Sequence, residues 1–489
     1  MKSAIGCLHA LTVAVAVFGV VAFFLAYRPT SVEDGVQTGI DTMLHGLSQP
    51  WLWLGVGIAV VASLVADWLE RRPSTPPGVS LDVEPEVATV ADIHASSVAI
   101  DGDDARTLVD RLLHRAISQR ASDLHLQPRA DGCHIALRVD GELNRIGTVD
   151  STVQPRLIRR FKVLADLVTY RTNTPQDGRF SIDTRGEPVE VRVSVLPTEF
   201  GESVVLRFAG VGIGTRDIEA LGMPDTMLER LRALLERPEG LIVLTGPTGS
   251  GKTTTLYAAL GQIHRERGEV ARIATIEDPV EVRLPFLSQT AVKPALGLDF
   301  AAGLRAVLRQ DPNVLMVGEI RDRETAKIAV QAGLTGHLIL TTLHADAAAG
   351  VFNRLIDLDV DASLVSSAVL ASLSQRLLRR LCPDCRRAEP LDPAVADRLR
   401  ATGHEVASET YYRAGTCVRC EARGFSGRVA IFELLEVSAA LREPIAERAP
   451  TSRLNELARR DGLVPLGQQA LDLAARGVID IDDALRLIH

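Results

Sequence analysis

Leu241-Ile-Val-Leu244-Thr-Gly246-Pro-Thr-Gly-Ser-Gly251-Lys252-Thr253 joins a short apolar run to a glycine-rich turn, and Thr254 to Ile263 continues it with helical character. Strand, G-x-x-x-x-G-K-T and helix in that order form a phosphate-binding loop in its required context. The glycines let backbone N–H groups close around phosphate oxygens, the helix N-terminus adds a favourable dipole, Lys252 reaches the β and γ phosphates, and Thr253 can ligate Mg²⁺. Gly246, Pro247, Thr248, Gly249, Ser250, Gly251, Lys252, Thr253 and Thr254 are the candidate binding residues for ATP.

Working outward, three later apolar runs end in the polar groups that triphosphate hydrolysis needs. Ile273-Ala-Thr-Ile276 precedes Glu277-Asp278, and Val314-Leu-Met-Val317 precedes Gly318-Glu319-Ile-Arg321-Asp322. His337 and His344 flank Leu338-Ile-Leu-Thr-Thr. In parallel sheets ligands gather at the carboxyl ends of strands. Apolar β-type runs alternate with helices from Ile218 onward, beginning with a helix over Thr226 to Glu236, which predicts a mainly parallel sheet covered by helices. Before it lies a smaller α+β unit from about Asp101. Its helix, Ala105 to Arg120, carries Leu108, Leu112, Leu113 and Ile117 at helical spacing. Its strands include His134 to Val139 and Val189 to Leu196, separated by turn residues such as Asp140–Gly141 and Asp177–Gly178.

The front of the chain differs. From Cys7 to Tyr27 there is no Asp, Glu, Lys or Arg, and a helix of that length crosses a hydrocarbon layer of roughly 30 Å. A second apolar run, Trp51 to Ala66, is bracketed by Trp51, Trp53 and Trp68, the three tryptophans of the protein, as an interfacial belt would be. A buried core helix competes for this second run. A cleaved signal peptide fits less well, because no small-x-small pattern follows the first run. Lys2 and Arg71–Arg72 flank the pair, while the loop between holds Arg28 against Glu33, Asp34 and Asp41, so both ends of the hairpin are expected in the cytoplasm. Residues 1–70 thus read as a transmembrane hairpin and 71–100, rich in Pro, Ser, Val and acidic groups, as a tether.

The formal net charge of −8 over 489 residues argues against broad phosphate neutralisation, so no nucleic-acid partner is expected. Of the six cysteines, Cys7 and Cys133 have no evident partner. Cys382-Pro-Asp-Cys385 and Cys417-Val-Arg-Cys420 form two knuckles able to close one structural Zn²⁺ site. Redox chemistry of the CxxC pairs stays open beside that reading.

From about Asp101 to its C-terminus the chain resembles the type II secretion and type IV pilus assembly ATPases. In that family GPTGSGKTTTLYA is the Walker A loop, TIEDPVE the Asp box, VLMVGEIRD the Walker B region and TGHLILTTLH the His box, and all four stand here in order. The α+β unit matches through Ala121-Ser-Asp-Leu-His-Leu-Gln-Pro128, Arg138-Val-Asp-Gly141, Asp177-Gly-Arg179, and Arg192-Val-Ser-Val-Leu-Pro197 through Arg207. The resemblance implies a PAS-like α+β domain over 101–210 and a RecA-like P-loop NTPase domain over 218–489, with a zinc insertion at 382–420 and C-terminal helices. It implies that Glu319 organises Mg²⁺ and water, that Glu277 and Asp278 assist, and that His337 and His344 couple the γ-phosphate to neighbouring structure. Arg192 and Arg207 would supply charge to the transition state. Zinc is strengthened, because assembly-type members carry this insertion.

The same resemblance implies a homohexamer that hydrolyses ATP on the cytoplasmic face of the bacterial inner membrane. It would drive a polytopic platform protein that adds pilin or pseudopilin subunits to a fibre. Three departures stand out: Asp346 where an amide is usual, Gln127 where glutamate is usual, and the hairpin in place of a soluble recruitment domain. Two other functions are weighed beside the motor. A nucleic-acid-translocating RecA-like ATPase predicts salt-sensitive, DNA-stimulated turnover, and a membrane-tethered scaffold predicts nucleotide binding with little hydrolysis.

Overall fold

The computed structural model describes residues 104–184, 187–208, 216–406 and 408–488, together with the backbone of 78–80. The hairpin expected over 1–70, and the tether over 71–100 apart from 78–80, lie outside the described residues. Among the described residues no helix is long and apolar enough to cross a membrane.

The first unit sets two helices against antiparallel strands. Helix α1 (Asp104–Ser118) buries Val109, Leu112, Leu113 and Ala116, and ends where Arg120 takes a φ of 52°. The strands are β1 (Asp123–Arg129), β2 (Gly132–Val139) and β3 (Glu142–Val149), then, after α2 (Gln154–Leu164), β4 (Gln176–Thr184), β5 (Glu187–Thr198) and β6 (Gly201–Phe208). They run in the order β4-β5-β6-β1-β2-β3. Asp140–Gly141, both at positive φ, make the tight reversal between β2 and β3 that such a pair favours. Asp177–Gly178 corrects the expectation of a turn: both lie inside β4, opposite Ser194 and Val193. Glycine is required at 178 for another reason, since a Cβ there would sit 2.6 Å from the Ala165 carbonyl where α2 crosses the sheet.

The second unit is a doubly covered sheet. Its first part contains α3 (Asp225–Leu235), β7 (Gly240–Thr245), α4 (Lys252–Arg267), β8 (Ile273–Glu277), β9 (Ser288–Ala291), α5 (Phe300–Leu308) and β10 (Val314–Val317). There follow α6 (Arg323–Gly333), β11 (Leu338–Leu343), α7 (Gly350–Asp357), α8 (Ala362–Ala368) and β12 (Val369–Leu381). An excursion of β13 (Arg387–Pro390), α9 (Pro393–Ala401) and β14 (Thr410–Arg413) precedes β15 (Phe425–Glu436). Helices α10 (Ala439–Ala446), α11 (Thr451–Arg460), α12 (Leu466–Ala475) and α13 (Ile481–Leu485) complete the chain. The sheet order is β9-β8-β10-β11-β7-β12-β15; β15 runs antiparallel to β12 and every other neighbouring pair is parallel.

Why these runs become interior strands follows from their two faces. Leu241, Val243, Leu315, Val317 and Ile339 pack with Phe300, Leu304, Ala329 and Phe352. Their alternates Ile242, Leu244, Met316 and Leu340 pack with Leu231, Leu256, Leu260 and Ile263 of α3 and α4. Strands buried on both faces are apolar over most of their length, and this parallel arrangement needs the helical crossovers that cover them.

Candidate functional site

Because β8, β10, β11 and β7 are parallel neighbours, their carboxyl ends open on one edge of the sheet. Glu277–Asp278, Gly318–Glu319, His344 and the loop from Gly246 stand there side by side. Hydrogen bonds brace the edge from within. Thr245 Oγ1 donates to the Ala345 carbonyl at 2.7 Å and accepts from the Ala345 N–H at 3.0 Å. Thr342 Oγ1 donates to the Gly318 carbonyl at 2.8 Å.

The phosphate loop leaves room that only glycine leaves. A Cβ at Gly246 would lie 2.4 Å from the Gln375 carbonyl, and Gly251 has a φ of 90°. Lys252 Nζ donates to the Gly246 and Pro247 carbonyls at 2.8 and 3.0 Å, so its ammonium is held inside the loop's own curve. Burial lowers its pKa from the usual lysine range, and the facing charge of Glu319 partly offsets that. Ser250 Oγ is buried without a hydrogen-bond partner. An open glycine cradle, an inward ammonium and an unused hydroxyl together fit phosphate oxygens. Thr253 stands in the first turn of α4 beside Lys252.

Glu319 is largely shielded: Arg321 pairs with it directly, and His344 Nε2 lies 3.9 Å away. Arg321 also lies 4.0 Å from Asp278. The two Asp-box residues have separated. Asp278 is exposed on the edge, whereas Glu277 is buried and receives hydrogen bonds from Tyr257, Thr275 and Gln289. Burial first, and then the Glu277 carboxylate, push the Tyr257 phenol up, which keeps it a donor. Asp346 is exposed, and its backbone carbonyl accepts from Arg376 Nη2 at 3.0 Å.

His337 is not brought to this edge. It precedes β11 at the opposite end of the sheet, where its carbonyl accepts from the Gly240 N–H, a full strand length from the loop. A strand advances about 3.3 Å per residue, so in this chain its ring is out of reach of a phosphate bound at Lys252. Joint action of His337 and His344 on one γ-phosphate within a single chain is therefore corrected. Arg192 and Arg207 also stand apart from the edge. They face each other across β5 and β6; Arg207 Nε donates to the buried Asp123 at 3.0 Å, and Arg192 Nε lies 3.4 Å from Glu190. Arg179 and Arg138 extend the same cross-strand row on either side.

The four cysteines of the insertion do converge. Their sulfurs all lie within 4.8 Å of one another, with contacts of 3.7 Å between Cys382 and Cys417, 3.8 Å between Cys385 and Cys420, and 3.6 Å between Cys417 and Cys420. A tetrahedron of thiolates about 2.3 Å from Zn²⁺ has edges of about 3.8 Å, so the set fits a closed structural site. Burial would raise the Cys420 thiol, but the Gly424 N–H aimed at its sulfur, with the bonds from Cys417 and Cys385, brings it to about 6.

This lobe also carries the first unit. Gln119 donates to both carboxylate oxygens of Glu421 at 3.0 and 3.1 Å. The Gly427 N–H donates to Asp140 at 3.0 Å, and Arg379 pairs with both Glu142 and Asp483. Sequence reading missed Tyr257, Gln289, Gln375 and Arg379, since each acts across the fold; Tyr257 lies within the quoted Walker A segment, but its bond to Glu277 shows only once α4 packs on β8.

Fold and site together define a P-loop nucleotide-binding protein with a second, α+β unit on its carboxyl-terminal lobe. Residues 101–486 match the family described as type II/IV secretion system protein, and the chain belongs to that family. It is 40% identical over 380 residues to the type II secretion system ATPase E of Vibrio cholerae, covering 78% of this chain and 74% of that one. It is 38% identical over 382 residues to the type IV pilus assembly ATPase TfpB of Acinetobacter baylyi, covering 78% and 65%. The crystal structure of the pilus retraction motor PilT with bound ADP superposes with a TM-score of 0.50 at 26% identity, covering 77% of this chain and 96% of that one.

Proposed function

We propose that the chain is a motor ATPase that hydrolyses ATP to drive type IV pilus assembly or the pseudopilus assembly of type II secretion. The observation that carries this is the single sheet edge on which the Lys252 loop, the Glu319 carboxylate and His344 meet, in a chain of this family. Lys252 and the loop amides bind and orient the phosphates. Glu319, held by Arg321, positions the attacking water, with Asp278 beside it and His344 facing the γ-phosphoryl group as it passes from ADP to that water. Mg²⁺, when bound at Thr253 and Glu319, supplies charge that offsets the β and γ oxygens. Arg192 and Arg207 complete the site when the two units close on a nucleotide, and hydrolysis changes the angle between them.

Homologous ATPases of pili and secretion support a homohexameric ring working on a polytopic platform protein of the inner membrane. The apolar runs before residue 70 support a membrane anchor that keeps the ring at that platform, with the ATPase domains in the cytoplasm. The thiolate tetrahedron supports a structural Zn²⁺ in the lobe that seats the first unit.

ATP turnover by the detergent-solubilised full-length chain tests the proposal. Lys252→Ala should lower turnover by at least about 10³ and weaken fluorescent-ADP binding, since it removes the ammonium that meets the phosphates. Normal turnover in that variant would overturn the reading. Negligible turnover in the unaltered protein with intact ADP binding would make it a scaffold, and stimulation by DNA would make it a nucleic-acid motor.

A further inference from the structure

Strand β12 forms the floor of the phosphate loop, through one residue that no part of the loop motif includes. Gln375 follows Ser374, which pairs with Thr245 at the end of β7, and its side chain is buried. Its Nε2 donates to the Ser250 carbonyl at 2.7 Å, and its Oε1 accepts from Thr255 Oγ1 at 2.8 Å. One amide thus ties the last peptide of the loop to the first turn of α4. The contact is close on both sides, since a Cβ at Gly251 would meet Gln375 Nε2 at 2.8 Å.

We infer that Gln375 is a positioning residue for nucleotide binding, fixing the Ser250–Gly251 peptide so that its N–H faces the phosphates. The peptide is planar and trans, so its C=O and N–H point in opposite directions. Drawing the Ser250 oxygen toward β12 therefore turns the Gly251 N–H away from β12, to the side where the loop closes on phosphate. Gly251, at positive φ, has the backbone freedom to turn either way, so something outside the loop must choose. The choice requires a side chain that donates and accepts at once. Glutamine does so, and the Ser250 carbonyl, which can only accept, fixes which end of the amide is which. Glutamate at the same place keeps the shape and the acceptor but loses the donor, and sets a carboxylate against the Ser250 oxygen.

The inference rests on residues 246–254 being the nucleotide loop, and the test separates the two. Gln375→Glu in the full-length chain should raise the fluorescent-ADP Kd and the KM for ATP about tenfold or more, with a smaller change in kcat. Amide exchange over 246–256 should quicken in the same variant. Thr255→Val, which frees the amide from the helix side, should shift both constants in the same direction by about threefold. If both variants only lowered the melting temperature and kept the Kd and KM of the unaltered protein, Gln375 would be mere packing and the inference would fall. Should Gln375→Glu not fold, Thr255→Val decides alone on the same constants. Lys252→Ala serves as the reference: normal ADP affinity there would mean that the loop itself had been misread.

Discussion

The sheet edge around Lys252 and the arginine row of the first unit hold their charges in opposite ways. On the edge, interior groups fix each functional element. Glu277 is sealed by three donors, Thr245 is locked to Ala345, and Gln375 is bonded to the loop itself. In the arginine row, Arg192 and Arg207 are held by pairs with Glu190 and Asp123 on their own sheet, and Arg207 is 71% exposed. Exposed ion pairs contribute little, about 0–1 kcal/mol, and exchange partners readily. One region is therefore braced from within the fold, while the arginines of the other are tied only to carboxylates of their own sheet.

The largest effect expected from this contrast is kinetic. Arg192→Gln should lower kcat by on the order of 10³, the scale of a lost arginine finger, with fluorescent-ADP affinity and melting temperature nearly unchanged, because Glu190 is solvated. Arg207→Gln should match it in kcat but also melt earlier, since it strips the closest cation from the buried Asp123 and leaves it the Ser122 hydroxyl at 2.8 Å and Arg138 at 3.6 Å. Equal melting temperatures for the two variants would show that the row is not organised around Asp123. Unchanged turnover in both would show that the row never meets a nucleotide.

The next effect tests the lobe on which the first unit sits. Cys417→Ser removes one corner of the thiolate tetrahedron, and structural Zn²⁺ binding is folding free energy. The variant should lose near-stoichiometric zinc by metal analysis and melt at least several degrees lower. ADP affinity should survive, because the loop is braced through Gln375 of β12 and through the Thr245–Ala345 pair at the ends of β7 and β11. Loss of turnover with retained ADP binding is the expected signature, since Glu421 and Gly427 would no longer seat Gln119 and Asp140. Zinc-free protein with unaltered melting would remove the metal reading.

Legibility in the sequence followed the range of the physics. The glycine loop and the strand-end carboxylates are local patterns, so their place on one edge followed from parallel strands alone. The cysteine pairs were legible as knuckles for the same reason, although their convergence needed β12 and β15 to pair and bring them together. What the sequence hid depends on register or on contacts between distant segments. Gly178 looks like a turn residue until α2 is seen to cross it. His337 and His344 look equivalent until β11 places them at opposite ends. Glu277 and Asp278 are adjacent in sequence, but Glu277 is the last residue of the buried strand β8 and Asp278 lies just beyond it on the exposed edge.

That last division makes the smallest prediction and the sharpest one for the edge. Tyr257→Phe deletes one of the three side-chain donors to the buried Glu277. An unmade bond to a buried charged group costs about 1–3 kcal/mol, which lowers the melting temperature by roughly 2–4 °C per kcal/mol for a domain of this size. If Glu277 serves as a brace for the edge, turnover should fall only about threefold, at the scale of a slightly loosened strand end, and the pH dependence of kcat should keep its shape. If Glu277 were instead the base that activates water, releasing it from the phenol would shift that pH profile while the fold held. A shifted profile would return the catalytic role to Glu277 and break the distinction between a sealed brace and an open edge.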